Sequence, residues 1–522
     1  MRRSRALASV LVCLLITAQL HAADSRLLAP KINAILAEKD LSRGFWGIEI
    51  VSLNTGQVLY SQNADKLFIP ASNTKLFTTA AALALIGPDY KYHTTVETNG
   101  ALDQKGRLTG DLVLVGRGDP NLSGRVLPYS LRTERNEFPV KVLEDLADAV
   151  VQKGLKYLDG NVVADDSYFA FERYGEGWTQ DDLVWADGAP VSALTINDNV
   201  VFVTIEPADR AGERAFVNIA PFADYYKIDN RIITTPAGTG RKIFINREPG
   251  SMVLTLWGNM PLGDPGANEA LAVEDPASFA GQLFRSMLEK RGVIINGHTT
   301  AHHTELASLS TLSVTALASA HDGGGDAPPN SRSKAPLVLA SYDSMPLSED
   351  LRVINKVSQN LHAEMLLRLL GHEKGNAGTV ESGLEVLKGF LSQAGVPSDE
   401  YIFYDGSGLS RQNLVTPNAV VTLLQYAAKQ PWGRTYSETF PVAGVDGSLA
   451  DRFRATPAQG LVLAKTGSLD HVKSLSGYAT TTSGDRVAFS IFSNNFDVPG
   501  RRAQDAIDRI VQSIVQDTPV RH

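Results

Sequence analysis

A single cysteine, Cys13, is all the thiol chemistry that this 522-residue sequence offers. It lies in a short apolar run from Ala6 to about Ile16, behind Arg2, Arg3 and Arg5 and ahead of the small residues Ala22 and Ala23. That order reads as a secretory signal, so residues 1–22 are expected to be cleaved near Ala22 or Ala23. Val12 is a poor fit to a lipoprotein signal, which wants a small residue before the cysteine. The run is also short of the roughly 20 apolar residues that a spanning helix needs. Without the signal no thiol remains, which excludes disulfides, cysteine nucleophiles and thiolate metal sites. An exported chain without disulfides fits a bacterial periplasm. A basic excess is missing too: 49 Lys and Arg stand against 57 Asp and Glu, for a net charge of −8. With no basic stripe carrying interleaved aromatics, nucleic acid is not expected as a partner. Gly116 and Gly118 lack the third glycine of a dinucleotide fingerprint, and no cofactor is expected. No internal repeat stands out.

What is present is ample apolar content, 43%, in a chain too long for one ordinary domain. FWGIEIVSL and QVLYSQN flank Asn54-Thr55-Gly56 and alternate like a β-hairpin. Residues 98–335 are rich in short strands, among them DLVLVG, GNVVAD and SMVLTLWG, with amphipathic helices at PVKVLEDLADAVVQKG and DPASFAGQLFRSMLEKRG. They end in a polar Gly- and Pro-rich loop at 321–336. Helical patterns resume near 345, and QGLVLAKTGSL, KSLSGYATT and DRVAFSIFSN read as three late strands. Ile507, Ile510, Val511, Ile514 and Val515 mark one face of a last helix. The expected class is α+β. Residues 24–97 and 336–522 make one discontinuous domain, whose antiparallel sheet takes strands from before Ser72 and after residue 460. A large β-rich insertion, 98–335, is expected to form two subdomains.

Three short motifs carry chemistry. Ser72 and Lys75, in FIPASNTKLFTTAAALALIG, stand three apart at the head of an apolar helical run, where an amine can reach a hydroxyl. A lysine among apolar groups loses solvation and becomes a usable base. The bland alternative is a capping serine beside a snorkelling lysine. The same spacing recurs at Ser331 and Lys334 in the Gly- and Pro-rich loop, where no helix face exists. Lys465-Thr466-Gly467-Ser468 lies on an apolar strand, where a lysine is costly unless a site needs it. Gly467 lets a ligand or backbone approach closely. Ser358-Gln359-Asn360 adds a hydroxyl and an amide ahead of a helix. Its pattern also occurs at Ser61–Asn63 and Ser493–Asn495, but only Ser358 lies between the other two motifs.

In the order S-x-x-K, S-x-N, K-T-G, the motifs resemble the penicillin-recognising enzymes. With LVGRGDPNLS, GWTQDDLVWADGAPVSALTINDN and YDGSGLSRQNLVTP, nearly the whole mature chain resembles the D-alanyl-D-alanine carboxypeptidases/endopeptidases among the low-molecular-mass class C penicillin-binding proteins. The resemblance implies a β-lactamase/transpeptidase-like domain acting on peptidoglycan stem peptides, with β-lactams as covalent inhibitors and other cell-wall enzymes as further partners. It implies Ser72 as nucleophile, Lys75 as base and Ser358 as proton relay. Asn360, Lys465, Thr466, Gly467 and Ser468 would bind substrate, and the N–H groups of Ser72 and Ser468 would form an oxyanion hole. Arg411 and Asp165, or its neighbour Asp166, match places that bind the charged end of a diaminopimelate-type side chain. Asp470 stands where some relatives are expected to have a neutral amide. The rival functions are a β-lactamase and a non-catalytic peptidoglycan-binding protein. A metallohydrolase built on His298, His302, His303 and Glu305 is a distant alternative, and no metal is expected.

Overall fold

The computed structural model describes residues 28–129, 139–222, 224–309 and 335–516. The expected signal segment, Cys13, the pair Ser331 and Lys334, and most of the 321–336 loop lie outside the described residues. No helix among the described residues is long and apolar enough to cross a membrane. The chain forms two compact units. One comprises Met1–Ala84, Leu351–Ser358 and Leu387–His522, the other Leu85–Asp350 and Gln359–Val386. This division differs from the boundaries at 98 and 335 read from the sequence. The helix Asn360–Lys374 belongs to the second unit, where Thr195 Oγ1 donates to Met365 and Arg368 donates to the Glu172 carbonyl.

The first unit is built on a five-stranded antiparallel sheet. Its strands are β1 (Phe45–Ser52), β2 (Val58–Gln62), β3 (Val462–Leu469), β4 (Val472–Thr480) and β5 (Arg486–Asn494), in the order β2-β1-β5-β4-β3. As expected, strands from both ends of the chain share the sheet. Side chains alternate across a strand. Ile48, Ile50, Leu475, Phe489 and Ile491 therefore face one core with α1 (Leu28–Leu36) and α4 (Gly500–Gln516). Each such side chain, fully buried, contributes about 1.5–3 kcal/mol. On the opposite face Tyr478 Oη donates to the Leu424 carbonyl of α3 (Pro417–Ala427) at 2.8 Å. Ala464 belongs to the α1/α4 core, so the alternation turns Lys465 and Gly467 to the other face and Thr466 and Ser468 back toward α4.

The second unit contains the expected strands at Leu112–Val115, Val162–Ala170 and Val253–Pro261 and both expected helices, Lys141–Gln152 and Pro276–Lys290. Its largest sheet runs Thr299–Thr304, Val162–Ala170, Leu112–Val115, His93–Thr98, Leu337–Asp343. Two three-stranded sheets and one four-stranded sheet of short strands accompany it. Inside, Asp198 accepts from Arg125 at 2.7 Å and from Gln359 at 2.8 Å, and His362 lies 2.7 Å from Asp350 and 3.3 Å from Asp198. Opposite charges here lie in contact and out of water, at 0–2% side-chain exposure.

Candidate active site

Ser72 sits in a short 3-10 turn, Ala71–Asn73, just ahead of the helix α2 (Thr74–Leu85), rather than in that helix. Residues three apart eclipse in such a turn, so Lys75 still falls beneath Ser72, and its Nζ donates to Ser72 Oγ at 2.9 Å. Lys75 is fully buried and also donates to the Ser407 carbonyl at 2.6 Å. Ala71 has a φ of +49°, a left-handed conformation that is uphill for a residue with a Cβ. What over-determines it is the loop around DGSGLS. A Cβ on Gly408 would lie 1.9 Å from the Ala71 carbonyl oxygen. Asp405 ties that loop by accepting from the N–H groups of Gly408 at 2.8 Å and Ser410 at 2.6 Å, and from the Asn413 amide at 2.5 Å.

β3 approaches the same turn. Gly467 has no room for a side chain: a Cβ there would meet Ser474 Oγ at 2.1 Å and the Pro70 carbonyl oxygen at 2.7 Å. Asn73 Nδ2 bridges the Lys465 carbonyl at 3.2 Å and Ser474 Oγ at 2.8 Å, while Ser474 donates to the Pro70 carbonyl at 2.8 Å. The nucleophile turn is thus stapled to β3 and β4. Lys465, fully buried, donates to Ser358 Oγ at 2.7 Å and to the Thr466 carbonyl at 2.8 Å. Burial first, then the like charge of Lys75, hold Lys465 well below the usual lysine range. Ser358 is itself left-handed, φ +68°, at the end of the wide turn Val353–Val357. That turn is anchored by Asn355, which donates to Thr439 Oγ1 at 2.8 Å, and by the Lys356–Asp446 ion pair at 2.5 Å.

The first unit therefore holds two lysine–serine pairs, Lys75 with Ser72 and Lys465 with Ser358, whose cations repel one another, with Gly467 packed on the nucleophile turn. Thr466 Oγ1 and Ser448 Oγ lie 2.7 Å apart, and Ser468 Oγ accepts from Lys473. Arg411 is in the same unit and reaches Asp470, with its Nη1 3.3 Å from the carbonyl and its Nη2 3.5 Å from the carboxylate. Asn360 and Asp165 belong to the second unit. The Asn360 amide donates to the Asp187 carbonyl at 3.0 Å, and Asp165 pairs with His302 at 3.1 Å. Asp166 is buried between Ser192 Oγ at 2.7 Å and His303 at 2.8 Å. His302 and His303 thus face carboxylates, and among the described residues no three His, Cys, Asp or Glu side chains converge to hold a metal ion. Asn73, Ser474, Ser407, Gly408 and Asn355 were not read from the sequence. Only the paired glycines of DGSGLS hinted at a tight loop, and nothing local marked its contact with Ala71.

A family model described as D-Ala-D-Ala carboxypeptidase 3 (S13) matches residues 28–320 and 326–514. The chain belongs to this family. As a member it is a carboxypeptidase-type DD-peptidase. It is 36% identical over 488 residues to the D-alanyl-D-alanine carboxypeptidase of an Actinomadura species, covering 91% of this chain and 82% of that relative. It is 26% identical over 456 residues to the D-alanyl-D-alanine carboxypeptidase DacB of Haemophilus influenzae, covering 85% and 84%. The crystal structure of penicillin binding protein 4 from Haemophilus influenzae superposes with a TM-score of 0.77 at 24% identity, over 92% of this chain and 98% of that one. The family's penicillin-recognising α+β fold is therefore the fold of this chain.

Proposed function

We propose that this chain is a serine DD-peptidase of the cell wall in which Ser72 is the nucleophile and Lys75 its base. Lys75 takes the Ser72 proton as Oγ attacks the carbonyl between two D-alanines of a stem peptide. The N–H groups of Ser72 and Ser468 hold the oxyanion, each worth about 3–4 kcal/mol. The proton moves by way of Ser358 to the departing amine, the C–N bond breaks, and an ester on Ser72 remains. Water then hydrolyses that ester. Lys465, Thr466 and Ser468 receive the terminal carboxylate, and Arg411 meets the charged end of a diaminopimelate side chain. The same chemistry at a D-Ala–diaminopimelate bond gives endopeptidase action, and β-lactams acylate Ser72. The chain acts after export, in the periplasm.

The observation that carries this reading is the pair of fully buried lysines, Lys75 and Lys465, donating to the half-buried hydroxyls of Ser72 and Ser358. A dry lysine is a strong candidate base. Release of D-alanine from an acyl-D-Ala-D-Ala peptide by wild type, and its loss in Ser72→Ala, is the expected result. Equal release by the two proteins would refute the assignment of the nucleophile.

A further inference from the structure

In the second unit, the strands Lys227–Thr235, Val253–Pro261 and Lys242–Asn246 form a sheet in that order, and its two faces are unlike. Ile232, Leu254, Leu256 and Met260 turn inward and join the buried core. The solvated face of such a sheet is expected to be polar. Here it carries Trp257, 40% exposed, and Phe244, 44% exposed. The two are register partners on neighbouring strands, and their rings stack with centroids 5.3 Å apart and 18° between planes. Arg231 is the partner of Trp257 on the other side, so the three stand in one row across the sheet. The rows beside it place Asp229, Thr255 and Asn246, and Ile233, Asn259 and Lys242, on the same face. Asn246 donates its amide N–H to Glu248 at 2.9 Å, and Asn259 donates to the Gly240 carbonyl at 2.6 Å. Each amide oxygen is thereby held in place as an acceptor.

Charge on this face also runs against the rest of the chain, whose net charge is −8. Lys227, Arg231 and Lys242 stand on it against Asp229 alone. Arg231 pairs with Asp229 at 2.5 Å, while Lys227 and Lys242 make no ion pair among the described residues. None of these side chains belongs to the reaction assigned to Ser72. Resting on the DD-peptidase reading, we propose that this face is a second binding site for the polymeric substrate, taking a glycan strand of amino sugars that bears acidic peptides. The apolar C–H face of a sugar ring packs on an aromatic platform. Sugar hydroxyl and acetamido N–H groups donate to the oxygens of Asn246 and Asn259. Lys227 and Lys242 meet carboxylates of the attached peptides, which is the charge complementarity that selects this partner. A contiguous apolar patch left in water marks an interaction site rather than a stabilising feature. Such a site acts through local concentration. It gathers stem peptides around the enzyme without touching the scissile bond, so it matters on the polymer and not on a free peptide.

The test pellets three proteins with purified, protein-free sacculi in the presence of benzylpenicillin, which occupies the Ser72 site. They are wild type, the double variant Phe244→Ala with Trp257→Ala, and the double variant Lys227→Glu with Lys242→Glu. D-alanine release is measured in parallel, without benzylpenicillin, from sacculi and from a soluble peptide ending in D-Ala-D-Ala. Each variant should bind sacculi about 10- to 100-fold more weakly and release D-alanine from them more slowly. Both should match wild type on the soluble peptide, which also shows that they are folded. Added salt should weaken binding by wild type more than binding by the charge variant. Equal pelleting of all three proteins, with activity on the soluble peptide intact, overturns the inference and leaves the DD-peptidase reading standing. So does wild type that pellets with phosphatidylglycerol vesicles but not with sacculi, or a dimer of wild type that the aromatic variant disperses without loss of pelleting. If wild type pellets through Phe244 and Trp257 yet releases no D-alanine from either substrate, the DD-peptidase reading fails and the binding site remains.

Discussion

The two units hold contrasting examples of buried charge. In the second, Arg125, Asp198, His362 and Asp350 lie in contact, so cations and carboxylates neutralise one another out of water. In the first, Lys465 is just as dry but faces a hydroxyl and a carbonyl, with a second buried lysine close enough to repel it. A neutralised cluster can serve structure, since breaking it strands a charge. A buried cation without a counter-ion opposes folding and is retained where chemistry needs a lone pair or a waiting anion. Stability should therefore depend on the polar core of the second unit, and activity on that of the first.

The sharpest break between the two comes from Ser72→Ala, which should lower D-alanine release by about 10⁴-fold or more while leaving the melting temperature unchanged. Steady-state kinetics and calorimetry on the same preparation check it. Next, Lys465→Met should reduce kcat/KM by about 10²- to 10³-fold and leave the protein as stable as wild type or more so. The sign follows from its lowered proton affinity. The folded chain holds fewer protons at this site than the unfolded chain, so the penalty is largest at low pH and fades as pH rises toward the ordinary value of 10.5. Denaturation of Lys465→Met at several pH values should show that slope removed.

Asp198→Asn inverts the pattern. It strands Arg125 and should destabilise the protein by about 3–5 kcal/mol, seen as an earlier denaturant midpoint. The smallest effect expected is at His303. Asp166 first, then Asp275, push it up to about 10 from an ordinary 6.5. The stabilisation is therefore complete below pH 6.5 and is lost as pH rises through about 10. His303→Gln should flatten that decline, by about 1–2 kcal/mol after allowance for partial solvation. A decline as steep in the variant as in wild type would remove His303 from the account.

Much of this was legible in the sequence because it is local. Alternation around Asn54–Gly56 and in QGLVLAKTGSL marks strands, and the order of three motifs marks the site. What was not legible depends on approaches between distant stretches. Asn73 and Ser474 are 401 residues apart, yet their hydrogen bond fixes the nucleophile turn on β3. Ser72 looks helical by composition, but the carbonyl of Ala71 must clear Gly408, and the chain takes a left-handed step and a 3-10 turn instead. The left-handed Ser358 likewise follows from anchors at Thr439 and Asp446, which no spacing announces. The motif Ser358-Gln359-Asn360 spans the division between the units, a boundary set by packing of the helix after it rather than by any change in composition.

The central claim is that a dry lysine makes Ser72 reactive toward a D-alanyl carbonyl. Mass spectrometry of the intact protein after brief exposure to benzylpenicillin, followed by peptide mapping, tests it most directly. The account predicts one penicilloyl adduct per chain, on Ser72, persisting for minutes. No adduct under conditions of proven folding, or an adduct on any other residue, would contradict it.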